Sequence, residues 1–366
     1  MVKAVVVKAV VAVEPDAPPR VREIELPPVG PGDVRVRVAA AGVCHSDLSM
    51  INGTLAPRFP LVLGHEAAGT VAEVGADVAK VRPGDRVVLN WAAACGECWF
   101  CGQDEPWLCS AVEGAVSPLS GATLDGEDMY ACMGVGGFAE ELVVPERSVV
   151  PLPASAPLDL GALLGCAVLT GIGAVRNTAQ VREGQSVLVI GLGGIGLSVV
   201  MGARLAGAGT IIAVDRGTEK QALAEAAGAT HYLEGDPKLS KQVRALTEGR
   251  GADHAFECVG KADLIRTAWQ SVRRGGQCTV VGVGARDDAV TFNALELFHF
   301  NRRLTSSVYG SSDPDRDVPG LAEEIEAGRL DLSTLVTHRI GLDGVAAAFD
   351  RMRAGHGARS LIEIAR

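Results

Sequence analysis

The chain has 366 residues, of which 48% are hydrophobic and 21% charged, and its formal net charge is −10. That length suits two domains with separate cores, in a composition ordinary for soluble globular proteins. The acidic balance argues against a nucleic-acid surface, which needs a basic face, and no apolar run approaches the roughly 20 residues that span a bilayer.

The opening VKAVVVKAVVAV is apolar, but Lys8 interrupts it and no small-residue cleavage site follows, so it reads as a pair of β-strands rather than a signal peptide. Valine-rich runs (VRVRVAAAG, GTVAEVG, DRVVLNW) then alternate with Pro-Gly and Gly-Asp turns up to about residue 155. This grammar predicts a small, irregular, barrel-like β domain. Within it CGECWFCGQDEPWLC places Cys95, Cys98, Cys101 and Cys109 in one short loop. Such spacing suits a closed tetrahedral zinc with four thiolate ligands. Nine cysteines in a chain this size do not resemble a secreted disulfide framework, and clustered cysteines in a cytoplasmic enzyme are metal ligands more often than bridges.

A Pro-rich hinge, VVPLPASAPLDLGALLG, follows, and from about residue 168 strands and helices alternate. SVLVIG, TIIAVD, HAFECVG and QCTVVGVG read as buried parallel strands, with helices expected over 218–227 and 264–273. This is the βαβ pattern of an α/β, doubly wound parallel sheet. Gly191-Leu192-Gly193-Gly194-Ile195-Gly196 leaves the first strand and opens a helix, and Asp215 ends the next strand. Glycines there let the backbone approach a pyrophosphate, and the helix start offers free N–H groups. Asp215 suits the adenosine ribose hydroxyls and repels a 2′-phosphate, favouring NAD over NADP, while Arg216 beside it leaves three roles open: stacking on the adenine, staying in solvent, or partly offsetting that discrimination. After about residue 309 a helix near 321–327 and a final strand in ARSLIEIAR suggest a return to the first domain.

Three further stretches complete a pattern: Cys44-His45-Ser46-Asp47, Gly64-His65-Glu66, and Cys166 within LLGCAVLTGIGA. With the zinc lobe and the glycine fingerprint, in that order over nearly the whole chain, they resemble the zinc-dependent medium-chain alcohol dehydrogenases. The resemblance implies a β-rich GroES-like catalytic domain from 1–167 and 310–366, its structural zinc lobe at about 90–112, and a Rossmann NAD-binding domain from 168–309. It implies two Zn2+ per chain: a structural ion on the four lobe cysteines, and a catalytic ion on Cys44, His65 and Cys166 with one position open.

The same resemblance assigns Asp47 to holding the His65 ring in its metal-binding tautomer and places Glu66 beside the metal. Ser46 matches the hydroxyl that accepts the substrate proton. Three residues later many relatives carry a histidine where this chain has Ser49, so water is expected to finish the relay. His45 and Arg359 match residues at the cofactor pyrophosphate, Lys220 one near the adenosine ribose, and Trp91 an aromatic wall of the substrate pocket that favours primary alcohols. The Gly-rich segment 111–135 matches a variable loop at the pocket mouth, Cys258 reads as a structural thiol, and Cys132 and Cys278 as free thiols without a role.

The expected reaction is reversible hydride transfer between a primary aliphatic or aromatic alcohol and NAD, the zinc acidifying the bound alcohol. The nearest rival is oxidation of a thiol adduct of formaldehyde, because LNW, LLGC and GATH are also similar to the mycothiol-dependent branch. A non-catalytic nucleotide-binding relative is a distant third. The expected partner is a small-molecule alcohol or aldehyde, with no nucleic acid and no membrane. FNALELFHF suggests a subunit edge in a homodimer or homotetramer, although a buried helix would look the same.

Overall fold

The computed structural model describes residues 5–112 and 116–364. Residues 1–4 and residues 113–115 of the segment 111–135 lie outside the described residues, and the opening apolar run forms one strand, Val5–Ala12, rather than a pair, its antiparallel partner being Arg20–Leu26. The chain divides into two compact units, one from Met1–Cys166, Asp313–Gly328 and Val336–Arg366, the other from Ala167–Ser312 and Arg329–Leu335.

In the first unit, strands Val5–Ala12, Arg20–Leu26, Leu119–Leu124, Glu127–Ala131 and Leu61–Val62 close a barrel. A second sheet is built around Asp33–Val43, which pairs antiparallel with Ala67–Val74, Glu141–Pro145 and Arg359–Glu363. Alternation makes this strand amphipathic: Val34, Val36 and Val38 are buried in the core while Arg35 and Arg37 face outward to Glu73 and Glu141. The segment 111–135 is more regular than its Gly-rich composition suggests. Leu119–Leu124 and Glu127–Ala131 form a hairpin whose two linking residues, Asp125 and Gly126, both have positive φ. An Asp-Gly pair suits that geometry because it matches the right-handed strand twist.

The second unit is a six-stranded parallel sheet in the order His231–Glu234, Thr210–Asp215, Ser186–Ile190, Ala252–Glu257, Val272–Val280, Arg303–Ser306. Numbered along the chain this is 3-2-1-4-5-6, the doubly wound Rossmann order, with its switch point at the end of Ser186–Ile190. Residues 218–227 form a 3-10 turn, Thr218–Lys220, and a helix, Gln221–Ala227, and the next expected helix runs Ala262–Ser271.

The C-terminal segment does not return to the first unit as one piece. Residues 310–312 stay with the second unit, as does Arg329–Leu335. Leu330, Leu332 and Leu335 are buried, the turn Leu332–Leu335 packs on helices Gly194–Leu205 and Gln221–Ala227, and Arg204 Nη2 donates to the Arg329 carbonyl at 2.8 Å. Helix Pro314–Glu326 and strands Val336–Ile340 and Arg359–Glu363 belong to the first unit. Among the described residues no single helix is long and apolar enough to cross a membrane.

Candidate metal centres and nucleotide site

The four lobe sulfurs, Cys95, Cys98, Cys101 and Cys109, all lie within 4.8 Å of one another. The chain turns through Gly96 at positive φ and enters the short helix Trp99–Gly102, which brings Cys98 and Cys101 Sγ to 3.5 Å. Cys98 and Cys109 Sγ are 3.9 Å apart. Tetrahedral zinc with Zn–S bonds of about 2.3 Å needs sulfur separations of roughly 3.8 Å, so the donor set fits the ion. Backbone N–H groups of Cys101 and Ser110 point at Cys98 and pull its thiol down to about 6, while Glu97 N–H lowers Cys95. Cys101 is pushed up to about 12, by desolvation and by its sulfur neighbours. Four sulfurs this close suit a cation that offsets their charge together.

The second cluster is assembled from distant parts of the first unit. Cys44 caps helix His45–Ile51 at the end of strand Asp33–Val43, His65 follows strand Leu61–Val62, and Cys166 ends the turn Ala162–Gly165. All three are buried, and their ligand atoms converge within 4.8 Å. The turn at Gly64 has φ +94, and a Cβ there would collide with Phe138, so only glycine delivers His65 along this path. His65 Nδ1 faces Asp47 Oδ1 at 2.9 Å, leaving Nε2 buried with no hydrogen-bond partner among the described residues. An imidazole nitrogen and two thiols gathered within 4.8 Å form a donor set that suits a borderline-soft divalent cation.

The electrostatics agree with that chemistry. A hydrogen bond from Cys166, aided against burial by Arg359 and His65, holds Cys44 well below the ordinary thiol range, and Cys166 is raised correspondingly. Burial opposes charge on His65, yet Asp47 and the Cys166 sulfur outweigh it and raise that pKa well above its ordinary value. A site that favours a proton on the ring also favours a metal cation there.

Around this trio Asp47 is wholly buried, and its Oδ2 accepts Cys44 N–H at 2.9 Å. Glu66, also buried, is pushed up to about 7 by desolvation although Arg359 opposes the shift. Arg359 is itself buried, its guanidinium donating to Val43 O, Cys44 Sγ and Glu66 Oε2 at 3.2, 3.4 and 3.1 Å. The pairing of Ser360 with Val43 places it there. Ser46 is half-buried with its Oγ 3.9 Å from Cys44 Sγ, and Ser49 follows one turn later on the same helix face. His45 is exposed at the helix start. Trp91 does two things at once: it packs on the core, edge-on to His65 at 6.5 Å, and it lines a cavity of about 490 Å³ with Met133 and Val62.

In the second unit Gly193 caps helix Gly194–Leu205, and a Cβ on Gly193 would meet nothing within 4 Å, which leaves the loop open to a ligand. At Gly196, by contrast, a Cβ would overlap the Gly191 carbonyl, so the tight strand-to-helix turn itself requires glycine. Asp215 is tied to this loop through Oδ2, which accepts Leu192 N–H at 2.8 Å and pairs with Lys220 Nζ at 3.2 Å. The Arg216 backbone N–H donates to Asp215 Oδ1 at 2.7 Å.

The sequence reading left Cys132 without a role, but the structure places it beside this centre. Its sulfur is buried, 3.6 Å from Asp47 Oδ1 and 4.0 Å from His65 Nδ1. Cys258 and Cys278 pack in the second unit, where burial raises both thiols. The segment around FNALELFHF forms helix Ala294–His299, with Leu295, Leu297 and Phe298 exposed rather than buried.

Residues 30–154 match the family model for the alcohol dehydrogenase GroES-like domain, and residues 194–327 match that for zinc-binding dehydrogenases. An S-(hydroxymethyl)glutathione dehydrogenase of Photobacterium damsela subsp. piscicida is 40% identical over 365 residues, covering 97% of this chain and 99% of the relative. One from Escherichia coli O1:K1 / APEC matches to the same extent. Among solved structures, an alcohol dehydrogenase zinc-binding domain protein from Burkholderia ambifaria superimposes with a TM-score of 0.94 at 31% identity, covering 100% of both chains. Benzyl alcohol dehydrogenase from Acinetobacter calcoaceticus gives 0.91 at 28% identity, covering 99% of this chain and 100% of the other.

Proposed function

The chain belongs to the zinc-dependent medium-chain alcohol dehydrogenase family, and on that premise we propose that it interconverts a primary alcohol and its aldehyde using NAD. The observation that carries the reading is the buried convergence of Cys44, His65 and Cys166 on one point, with His65 Nε2 unpartnered. Cys44, His65 and Cys166 would hold a zinc ion through two thiolates and an imidazole, a three-ligand set of the kind catalytic zinc sites use. When bound, zinc supplies Lewis acidity and the nicotinamide supplies the hydride acceptor.

The remaining work falls to the protein. Asp47 holds the proton on His65 Nδ1 and so keeps Nε2 turned to the metal. Arg359 balances the negative charge of the sulfurs and Glu66. Ser46 accepts the substrate hydroxyl proton, and water finishes the relay, because Ser49 stands where many relatives carry a histidine. Trp91 narrows the pocket and favours primary alcohols over bulky secondary ones. The amides at Gly193 and Gly194 receive the pyrophosphate, and Asp215, held by Leu192 and Lys220, takes the adenosine ribose. The exposed Leu295, Leu297 and Phe298 suit a subunit contact, consistent with a homo-oligomer.

A second reading has its own support. Curated relatives at 40% identity are S-(hydroxymethyl)glutathione dehydrogenases, so a thiol adduct of formaldehyde is the alternative substrate. One assay separates the two: benzyl alcohol and short primary alcohols against formaldehyde with and without glutathione or mycothiol, each with NAD and NADP. Turnover of the free alcohols at rates independent of thiol supports the first reading. A formaldehyde rate that requires added thiol, alongside negligible turnover of free alcohols, selects the second.

A further inference from the structure

We infer that Cys132 is a positioning residue for His65: its thiol is one of the donors that fix the Asp47 carboxylate against the imidazole. The inference rests on the zinc reading of Cys44, His65 and Cys166. Asp47 Oδ1 accepts from His65 Nδ1 at 2.9 Å, from Gly64 N–H at 3.2 Å and from Cys132 Sγ at 3.6 Å, while Oδ2 accepts Cys44 N–H at 2.9 Å. Asp47, His65 and Cys132 are all fully buried, so water cannot replace a lost donor. Beside a carboxylate whose other partners all donate, the sulfur contributes as an S–H donor.

Strand pairing makes the contact. Leu61–Val62 lies parallel to Glu127–Ala131, with Val62 opposite Ala131, so the chain delivers Cys132 just as its neighbour delivers Gly64 and His65. Gly137 N–H to Gly64 O and Phe138 N–H to Leu63 O, both 2.8 Å, then fasten the loop after Cys132 along the strand that carries His65. The competing view is that Cys132 only fills space, since free cysteine packs well as a small apolar residue.

Substitutions separate donor from filler. Cys132→Val keeps bulk without a donor, Cys132→Ala removes both, and Cys132→Ser keeps a donor. The measurements are the rate of zinc transfer from the holoenzyme to a chromophoric chelator and the d–d spectrum of enzyme carrying cobalt at the catalytic site. The lobe phase is identified as the one that survives in Cys166→Ala. Losing a whole partner of a ligand shell costs about 10–100-fold in metal affinity. One weak donor among four should therefore speed release of the catalytic zinc about three- to tenfold in Cys132→Val and Cys132→Ala, with a displaced cobalt band. Cys132→Ser should stay within about twofold of wild type, and the lobe phase should not move. Release unchanged in the valine and alanine variants, or serine as impaired as valine, overturns the inference. A wild-type enzyme with zinc only in the lobe overturns the catalytic-zinc reading itself, and the inference with it.

Discussion

The two cysteine-rich centres of the first unit use the same ligand chemistry in opposite surroundings. The lobe draws four sulfurs from a stretch of 15 residues and leaves three of them only half-buried, whereas the second cluster draws two sulfurs and one imidazole nitrogen from residues 44 to 166 and buries all of them. A local loop can organise itself around an ion and gains its shape from it. The buried trio is arranged by the surrounding sheets, with Asp47, Arg359 and Cys132 packed behind it, and in the proposed function it is the centre that keeps a coordination position for chemistry. Closed and ligand-made on one side, open and scaffold-made on the other, the centres should fail in different ways.

The sharpest way to break the comparison is Cys166→Ala. Lewis acidity is worth several kcal/mol of barrier, and each 1.36 kcal/mol is tenfold, so kcat/KM should fall about 10³–10⁴-fold. Metal analysis should then find one zinc per chain, with the melting temperature near that of wild type. Loss of both ions, or cooperative unfolding, would mean that the two centres are one structural unit. The converse change, Cys101→Ser, should remove the lobe zinc. Protease cleavage should then appear between residues 95 and 109, while kcat per folded chain drops less than about tenfold, because chemistry depends on the other centre.

How legible each centre is follows from the same contrast. Cys95, Cys98, Cys101 and Cys109 announce themselves because local spacing is all that a local loop needs. Cys44, His65 and Cys166 carry no such spacing, and only the family order of motifs groups them. Cys132 was missed because its contact comes from a two-residue parallel pairing, 61–62 with 130–131, that leaves no periodic trace in the chain. The Asp125-Gly126 turn was present in the sequence, yet the glycine content of the segment around it reads as loop. The Rossmann strands were legible because each is a short buried apolar run. The split of the C-terminal segment was not, since three leucines at 330, 332 and 335 look alike on either unit.

Asp215 extends the comparison to a site in the second unit. Charged hydrogen bonds to the ribose hydroxyls contribute about 1.5–3 kcal/mol, so Asp215→Ala should lower kcat/KM for NAD roughly 10–100-fold. It should also narrow the gap to NADP, because the charge that repels a 2′-phosphate is gone. Both zinc ions should remain. An unchanged NAD to NADP ratio would remove Asp215 from cofactor selection.

The smallest expected effect contrasts two buried histidines. His65 faces Asp47 and a sulfur, which raise its pKa in spite of burial, whereas His254 is pushed down to about 4 by desolvation, with Arg303 and Arg273 adding to it and Asp253 opposing. Gln185 Oε1 accepts the Arg182 backbone N–H at 2.8 Å, which orients the amide, so His254 Nε2, 3.1 Å away, must be the donating nitrogen, and Nδ1 has no hydrogen-bond partner among the described residues. An unfolded histidine titrates near 6.5, so between about pH 4 and 6.5 the unfolded chain binds the extra proton and the folded chain does not. The stability contributed by neutral His254 is therefore complete above that window and declines as pH falls through it. Urea midpoints measured from pH 7.5 to 5 should fall more steeply for wild type than for His254→Gln, whose side chain cannot titrate. Parallel curves would show that His254 gains its proton in the folded chain as readily as in the unfolded one. Burial among arginines would then not govern this ring.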